Sequence, residues 1–286
     1  MPGPKLFWIS KSDRIEPIPG EGRTVSLFPG PSLTRHLMKS LRAEIGDQFL
    51  FCLPESCKAF LGEIQTQNPL SLILAPAPDF GGKQKGRPSL QARLAFSPLK
   101  GDAFTEVLGM SVMAGLSGIT PVLAERTVAD WNDNARWERK RERFDHLVQE
   151  KSQLCGRCDP LEIESPISLE AFLEKTPSSI ILWFDEESES AVPFEEIFSE
   201  PLRFVTRSSI RDGQTLWGLV GPEGGWDDRE RQMAERMGQS ADILRVSLGP
   251  RTLSAEGAAL AVVSILGFVM KPLFQRFASS KPSRFR

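Results

Sequence analysis

Two segments near the C-terminus restrict the architectures open to this chain. Each is an apolar run that ends in a glycine–proline loop and opens into a stretch of helical character. The first runs Leu216-Trp217-Gly218-Leu219-Val220 and then Gly221-Pro222-Glu223-Gly224-Gly225-Trp226. The second runs Ile243-Leu244-Arg245-Val246-Ser247, continues as Leu248-Gly249-Pro250-Arg251-Thr252-Leu253-Ser254, and enters the small-residue stretch Ala255-Glu256-Gly257-Ala258-Ala259-Leu260-Ala261. Short apolar runs bounded by turn formers read as strands buried on both faces, the habit of parallel sheets. Parallel neighbours need crossovers, so this part of the chain is predicted to be α/β. Two such loops close in sequence predict one backbone-lined pocket at the carboxyl edge of the sheet.

The alternation extends upstream. Residues 90–96, 119–124 and 179–184 read as strands, and residues 105–114 and 134–153 as helices. Trp137, Phe144, Leu147 and Val148 share one face of the longer helix and read as core. Arg136, Arg139, Lys140, Arg141 and Arg143 alternate with Glu138 and Glu142 and read as a solvated, salt-bridged face. The N-terminal part is different. Short runs at 25–28, 48–52 and 70–74, punctuated by Pro and Gly, predict a small β-rich domain. A helix at 34–43 interrupts them and ends in the turn Gly46-Asp47. Gly81-Gly82-Lys83-Gln84-Lys85-Gly86-Arg87-Pro88 reads as a linker. The expected organisation is a β-rich domain over residues 1–80, a linker over 81–89 and an α/β domain over 90–286.

A formal net charge of -2 provides no global field for nucleic acid, so a role on RNA requires local basic patches. The start Met1-Pro2-Gly3-Pro4-Lys5 lacks an apolar signal segment, and the apolar run at 257–270 is too short to span a bilayer. A cytoplasmic protein with no membrane partner is expected. In that compartment Cys52, Cys57, Cys155 and Cys158 read as free thiols. Cys155 and Cys158 form a C-x-x-C pair, but Cys52 and Cys57 are poorly spaced to join it and only His36 and His146 could add nitrogen, so no metal is expected. The glycine-rich loops lack the G-K-[ST] ending of a P-loop and the G-x-G-x-x-G of a dinucleotide site.

These residues resemble the RsmE family of ribosomal RNA methyltransferases, within the SPOUT superfamily, over nearly the whole chain. Gly221 to Trp226 matches that family's G-P-E-G-G-aromatic loop. Leu248-Gly249-Pro250-Arg251, with Leu253, Glu256 and Ala258, matches its L-G-x-R-I-L-R-x-E-T-A segment. Glu125-Arg126, Trp137, Gly156-Arg157 and Pro160 match further positions, as do His36-Leu37, Leu41-Arg42 and Gly46-Asp47 in the first domain. The resemblance implies a PUA-like β-barrel for RNA over 1–80, followed by a SPOUT-type α/β domain with a C-terminal trefoil knot, assembled as a homodimer. It implies S-adenosylmethionine as methyl donor and N3 of a uridine in 16S ribosomal RNA of the small subunit as acceptor.

The matched positions carry the expected roles. Phe184, Leu219, Gly221, Pro222, Glu223, Gly224, Gly225, Ser247, Leu248, Gly249 and Leu253 are expected to hold the cofactor. Arg251 is expected to stabilise the negative charge that forms on the uracil. Glu256 or Glu223 could accept its proton, although Glu256 could equally cap its helix and Glu223 brace its loop. Arg35, His36, Arg42, Arg126 and Arg157 are the expected RNA contacts. The chain departs from the family at Ser254 and Gly257, in place of Arg and Thr, at Met110 and Met113, in place of Lys and Glu, and at Leu154, in place of Gln. Two other readings therefore stay open: a methyltransferase with another RNA target, and a SPOUT protein that binds RNA or a partner without chemistry.

Overall fold

The computed structural model describes residues 5–18, 24–77, 90–129, 131, 133–177, 179–186, 191–199, 214–237 and 242–270. The expected linker at 81–89 lies outside them. The chain divides into two compact units, Met1–Gly86 with Gln149–Pro160, and Arg87–Val148 with Leu161–Arg286.

The first unit is built on β1 (Leu6–Trp8), β2 (Arg14–Pro17), β3 (Val25–Phe28), β4 (Gln48–Leu53), β5 (Lys58–Gln67) and β6 (Leu70–Pro76). They form one sheet in the order β1-β4-β5-β6-β3-β2, antiparallel except for the β1–β4 pair. Helix α1 (Pro31–Arg35) starts on a proline, whose missing N–H costs nothing at that position, and passes into a π-turn over His36–Ser40. Leu37 in that turn drops into a core of Leu27, Phe51, Ile64, Leu72 and Leu74. A second cluster gathers Leu6, Leu50, Cys52 and Cys158. There the Cys52 thiol donates to the carbonyl of Cys158 at 3.3 Å, and the indole N–H of Trp8 donates to the carbonyl of Arg157 at 3.0 Å. All four cysteines are free thiols. Among the described residues no group of three or more His, Cys, Asp or Glu side chains is arranged to hold a metal ion.

The second unit is a mixed α/β layer structure. Its strands are β7 (Leu90–Phe96), β8 (Gly118–Leu123), β9 (Glu162–Ile163), β10 (Ile167–Ser168), β11 (Ile180–Phe184), β12 (Val192–Pro193), β13 (Gln214–Val220) and β14 (Asp242–Ser247). All pair in parallel in the order β10-β8-β7-β13-β11-β14-β12, with β9 also on β8. Among the described residues the helices are α2 (Ala103–Met113), α3 (Asn134–Cys155, of which residues from Gln149 on belong to the first unit), α4 (Leu169–Lys175), α5 (Phe194–Ser199), α6 (Asp228–Met237) and α7 (Ala255–Ser264). On α3, Trp137, Phe144 and Val148 are buried, as the helical face predicted, whereas Leu147 is only half-buried. Helix α7 packs on α2 and β13. Gly218 admits that packing, because a Cβ there would lie 2.5 Å from Cγ1 of Val262.

A charged network in this unit centres on the buried Arg93. Arg93 on β7 bonds to Glu162 and Glu164, each at 2.8 Å, and lies over the Trp217 ring. Thr120 and Lys175 also donate to Glu164, each at 3.0 Å. Burial pushes the Glu164 carboxyl up, but the bonds from Lys175 and Thr120 and the Arg93 charge outweigh it and hold the group below its ordinary value. The folded form thus binds this proton less tightly than the unfolded chain. Its stabilising contribution is present above the unfolded carboxylate pKa and is lost as pH falls through the lower folded value. Glu164→Gln should lower stability at neutral pH by about 1–3 kcal/mol and flatten the acid limb of a pH series of unfolding midpoints. A parental acid limb would show that the network does not report on this proton.

Candidate functional site

Register builds the site. Phe184 at the end of β11 stands opposite Val220 of β13 on one side and Val246 of β14 on the other. Three parallel strands therefore end level, and their loops leave from one edge, where open α/β sheets place ligands.

The first loop is anchored at its end by Trp226. This side chain is 2 % exposed, its ring centroid lies 4.5 Å from that of Trp183, and its indole N–H donates to the carbonyl of Phe184 at 3.0 Å. Gly221 leaves room for it, since a Cβ there would sit 2.8 Å from Cε2 of the indole. The amide of Gly225 closes a turn on the carbonyl of Pro222, and Gly225 and Gly249 hold positive φ of 68° and 113°. The loop then enters α6 through a reciprocal cap. Asp227 accepts from the Glu230 amide at 2.8 Å, and Glu230 accepts from the Asp227 amide at 2.9 Å. The second carboxylate oxygen of Glu230 takes the amide of Glu125 at 2.9 Å, which ties the loop after β8 to the same place.

One turn into α6, Arg231 reaches back under the sheet edge. Its Nε and Nη2 donate to the two oxygens of Asp185 at 2.9 and 3.2 Å, and the Asp185 side chain is 1 % exposed. The Asp185 amide donates to the carbonyl of Val246. Arg245 on β14 donates to the carbonyl of Arg231 and to Glu235, each at 3.0 Å. The second loop is closed by Ser247, whose hydroxyl accepts from the Gly249 amide at 3.2 Å. Ser254 then caps α7 by accepting from the Gly257 amide at 3.1 Å.

These elements surround a pocket. Phe184, Val220 and Val246 line it at the strand ends, with Asp185 and Glu186 beyond β11. Gly221, Pro222, Glu223, Gly225 and Trp226 come from the first loop. Ser247, Leu248, Gly249, Arg251 and Leu253 come from the second, and Ala255 and Ala258 from α7. The lining is apolar at the sheet and backbone-rich at the rim. It holds three carboxylates, one of them matched by Arg231, and one exposed guanidinium, Arg251. That balance suits a small molecule with an apolar ring system and a positive charge, and opposes a polyphosphate.

The remaining expected positions fall elsewhere. Leu219 is fully buried among core side chains of β13, and Gly224 turns its carbonyl to Arg126; neither lines the pocket. Glu256 also lies outside the lining. A hydrogen bond with the carboxyl of Glu106 on α2 pushes its own carboxyl up. In the first unit Arg35, His36 and Arg42 are exposed, with the His36 ring edge-on to Phe7 at 5.5 Å. Arg157 is 9 % exposed, and its guanidinium bonds to the backbone carbonyl and carboxylate of Asp159. Sequence reasoning missed Asp185, Glu186 and the Arg231 brace. An aspartate directly after a strand and an arginine one turn into a later helix carry no shared local pattern, and only the sheet register brings them together.

The chain matches the RNA methyltransferase domain family over residues 86–267. It is 28 % identical over 152 residues to a protein of Aquifex aeolicus named ribosomal RNA small subunit methyltransferase E, covering 53 % of this chain and 57 % of that one. It is 28 % identical over 180 residues to a protein of the same name from Synechocystis, covering 62 % of this chain and 54 % of that one. The chain thus spans a little over half the length of these two relatives. Among solved structures, it resembles a ribosomal RNA small subunit methyltransferase E of Neisseria gonorrhoeae bound to S-adenosylmethionine. The TM-score is 0.66 at 21 % identity, over 92 % of this chain and 96 % of that one. A Legionella pneumophila protein described as a methyltransferase, in complex with the cofactor SAM, gives a TM-score of 0.67 at 22 % identity, over 92 % and 97 %. At these identities the structural likeness establishes a shared fold.

Proposed function

Because the chain belongs to the RNA methyltransferase domain family, we propose that it carries the RsmE-type activity, transfer of a methyl group from S-adenosylmethionine to N3 of a uridine in 16S ribosomal RNA. The observation that carries this reading is the pocket where β11, β13 and β14 end level, framed by the two glycine–proline loops. Its residues fit the cofactor. Phe184, Val220 and Val246 offer an apolar wall to an adenine, the loop backbones offer hydrogen bonds, and Glu186 and Glu223 offer negative charge to an ammonium and a sulfonium. When bound, S-adenosylmethionine supplies an electrophilic methyl group.

The chain's own residues do the rest. Methyl transfer needs an in-line approach more than covalent help, so the two loops act chiefly by orientation. Loss of the N3 proton leaves negative charge over the uracil carbonyls, and we assign its stabilisation to Arg251, which lines the pocket. Of the two carboxylates considered as proton acceptor, Glu223 lines the pocket, whereas Glu256 faces Glu106, so we assign the role to Glu223. Arg251→Ala should reduce methyl transfer by roughly 10²-fold while leaving cofactor affinity nearly unchanged. Transfer at the parental rate would remove Arg251 from the chemistry.

We further infer that the six-stranded first unit is a PUA-like RNA-binding domain, with Arg35, His36 and Arg42 among its RNA contacts. The placement of β14 between β11 and β12, strands consecutive in the chain, supports a trefoil knot of the SPOUT type. Met113 at the end of α2 and Phe268 in the turn after α7 are large exposed apolar side chains, which favours a homodimer with the pocket near its seam. Among the described residues no helix is long and apolar enough to cross a membrane. From an activity on ribosomal RNA we infer a cytoplasmic protein.

The deciding experiment offers labelled S-adenosylmethionine and small ribosomal subunits lacking the uridine-N3 mark, and maps the modified base by mass spectrometry. Label at N3 of a uridine is the expected outcome. No label from folded, cofactor-binding protein would overturn the assigned target or the activity itself.

A further inference from the structure

A basic residue in a loop beside an RNA-modifying site invites assignment to the RNA, and Arg126 is such a residue. Its geometry points elsewhere. Nη1 of Arg126 donates to the carbonyl of Gly224 at 2.7 Å. Its aliphatic stem lies across the same residue, so that a Cβ on Gly224 would sit 3.2 Å from Cβ and 3.3 Å from Cδ of Arg126. Among the described residues this is the one side-chain hydrogen bond made to the backbone of residues 221–225.

The base from which Arg126 reaches out is stiff. The Ala124 amide donates to the Thr127 hydroxyl at 2.9 Å, and the Thr127 amide donates to the Ala124 carbonyl at 3.0 Å. The neighbouring Glu125 amide is held by Glu230 at the head of α6. The loop it reaches is the opposite. Three of the five residues from 221 to 225 are glycines, so the segment has the most backbone freedom to lose on ordering. Gly224 itself does not line the pocket, but Gly221, Pro222, Glu223 and Gly225 around it do.

We propose that Arg126 is a positioning residue for the cofactor: it pins the tip of the 221–225 loop so that the backbone groups and Glu223 meet the ligand already ordered. The inference rests on the reading of this pocket as the S-adenosylmethionine site. Its energetic sense is preorganisation, since a loop ordered beforehand spends less of its binding energy on being fixed.

The test compares the full chain with Arg126→Ala and Arg126→Lys. Calorimetric titration with S-adenosylmethionine, without RNA, should show about tenfold weaker binding for Arg126→Ala, the scale of a lost charge-assisted hydrogen bond. Arg126→Lys should recover most of it, because an ammonium on a stem of similar length reaches the same carbonyl. Hydrogen exchange of the free proteins should quicken at residues 221–225 in Arg126→Ala while the unfolding midpoint stays parental. In turnover, the KM for the cofactor should rise more than kcat falls. RNA affinity measured without cofactor, and its salt dependence, should not move. Parental cofactor affinity with weakened RNA binding in Arg126→Ala would overturn the proposal and make Arg126 an RNA contact. Losses that follow the unfolding midpoint and are not rescued by Lys would overturn it in favour of a purely structural role. Failure of the unsubstituted protein to bind S-adenosylmethionine is a separate outcome, which would sink the reading of the pocket and this inference with it.

Discussion

Trp226→Ala should destabilise the methyltransferase unit by about 3–5 kcal/mol and abolish measurable cofactor binding. The side chain is nearly fully buried, packs on Trp183 and closes over Gly221, so its removal leaves a cavity between the first loop and the end of β11. It also strips the Phe184 carbonyl of the indole N–H at 3.0 Å. The two losses fall on one spot. The wall residue Phe184 and the loop from Gly221 both lose their fixed point, and both line the pocket. Trp226→Phe separates the contributions. It keeps most of the ring volume but not the donor, and should cost about 1–3 kcal/mol, with cofactor binding weakened but present. Denaturant titration with parallel calorimetry reads both quantities. An alanine variant of parental stability and affinity would mean that the loop is held by something other than this anchor.

The second large effect concerns the buried ion pair. Asp185→Ala leaves the Arg231 guanidinium, 15 % exposed, without the carboxylate that accepts from two of its nitrogens. Removing one partner of a buried pair costs about 3–5 kcal/mol, and the exposed Asp228, 3.3 Å from Nη1 of Arg231, offsets only part of that. Arg231→Met should cost at least as much, since the Asp185 side chain it abandons is 1 % exposed. The double variant should recover part of the loss, about 1–3 kcal/mol. That non-additivity is the signature of a desolvation penalty rather than of two independent contacts. Strictly additive losses in the cycle would rule the coupling out. Because Asp185 lines the pocket, the cofactor affinity of each variant should fall with its stability.

Legibility in the sequence followed chemistry of short range. β3 and β7 coincide with their predicted spans, and α3 begins where predicted, because each has an apolar pattern with clear punctuation. β5 was not anticipated. Lys58, Glu63, Gln65 and Gln67 leave it with few apolar residues, and its inward positions include Gly62. β9 and β10 have two residues each and carry no period to read. The helix expected at 34–43 begins earlier, because Pro31 serves as its first residue. It ends earlier too, as a π-turn followed by Arg42 at φ 54°. At the site, the loops announced themselves by their glycines and prolines. The ordering that makes them one pocket did not, since nothing local in β13 says that it lies between β7 and β11. The same holds for Arg126, whose charge suggests RNA and whose position delivers it to a loop carbonyl nearly a hundred residues away in the chain.

The sheet order also dictates when, during synthesis, this protein acquires its ligand. β11 is flanked by β13 and β14, and the lining of the pocket extends as far as Ala258. A nascent chain that has left the ribosome only as far as α6 holds one loop, a bare edge on β11 and no second wall. The cofactor therefore has nothing to stabilise until the closing segment has been translated and inserted, and from that moment it stabilises only the completed form. Occupancy of the pocket thereby reports that the segment through Ala258 has been made and inserted.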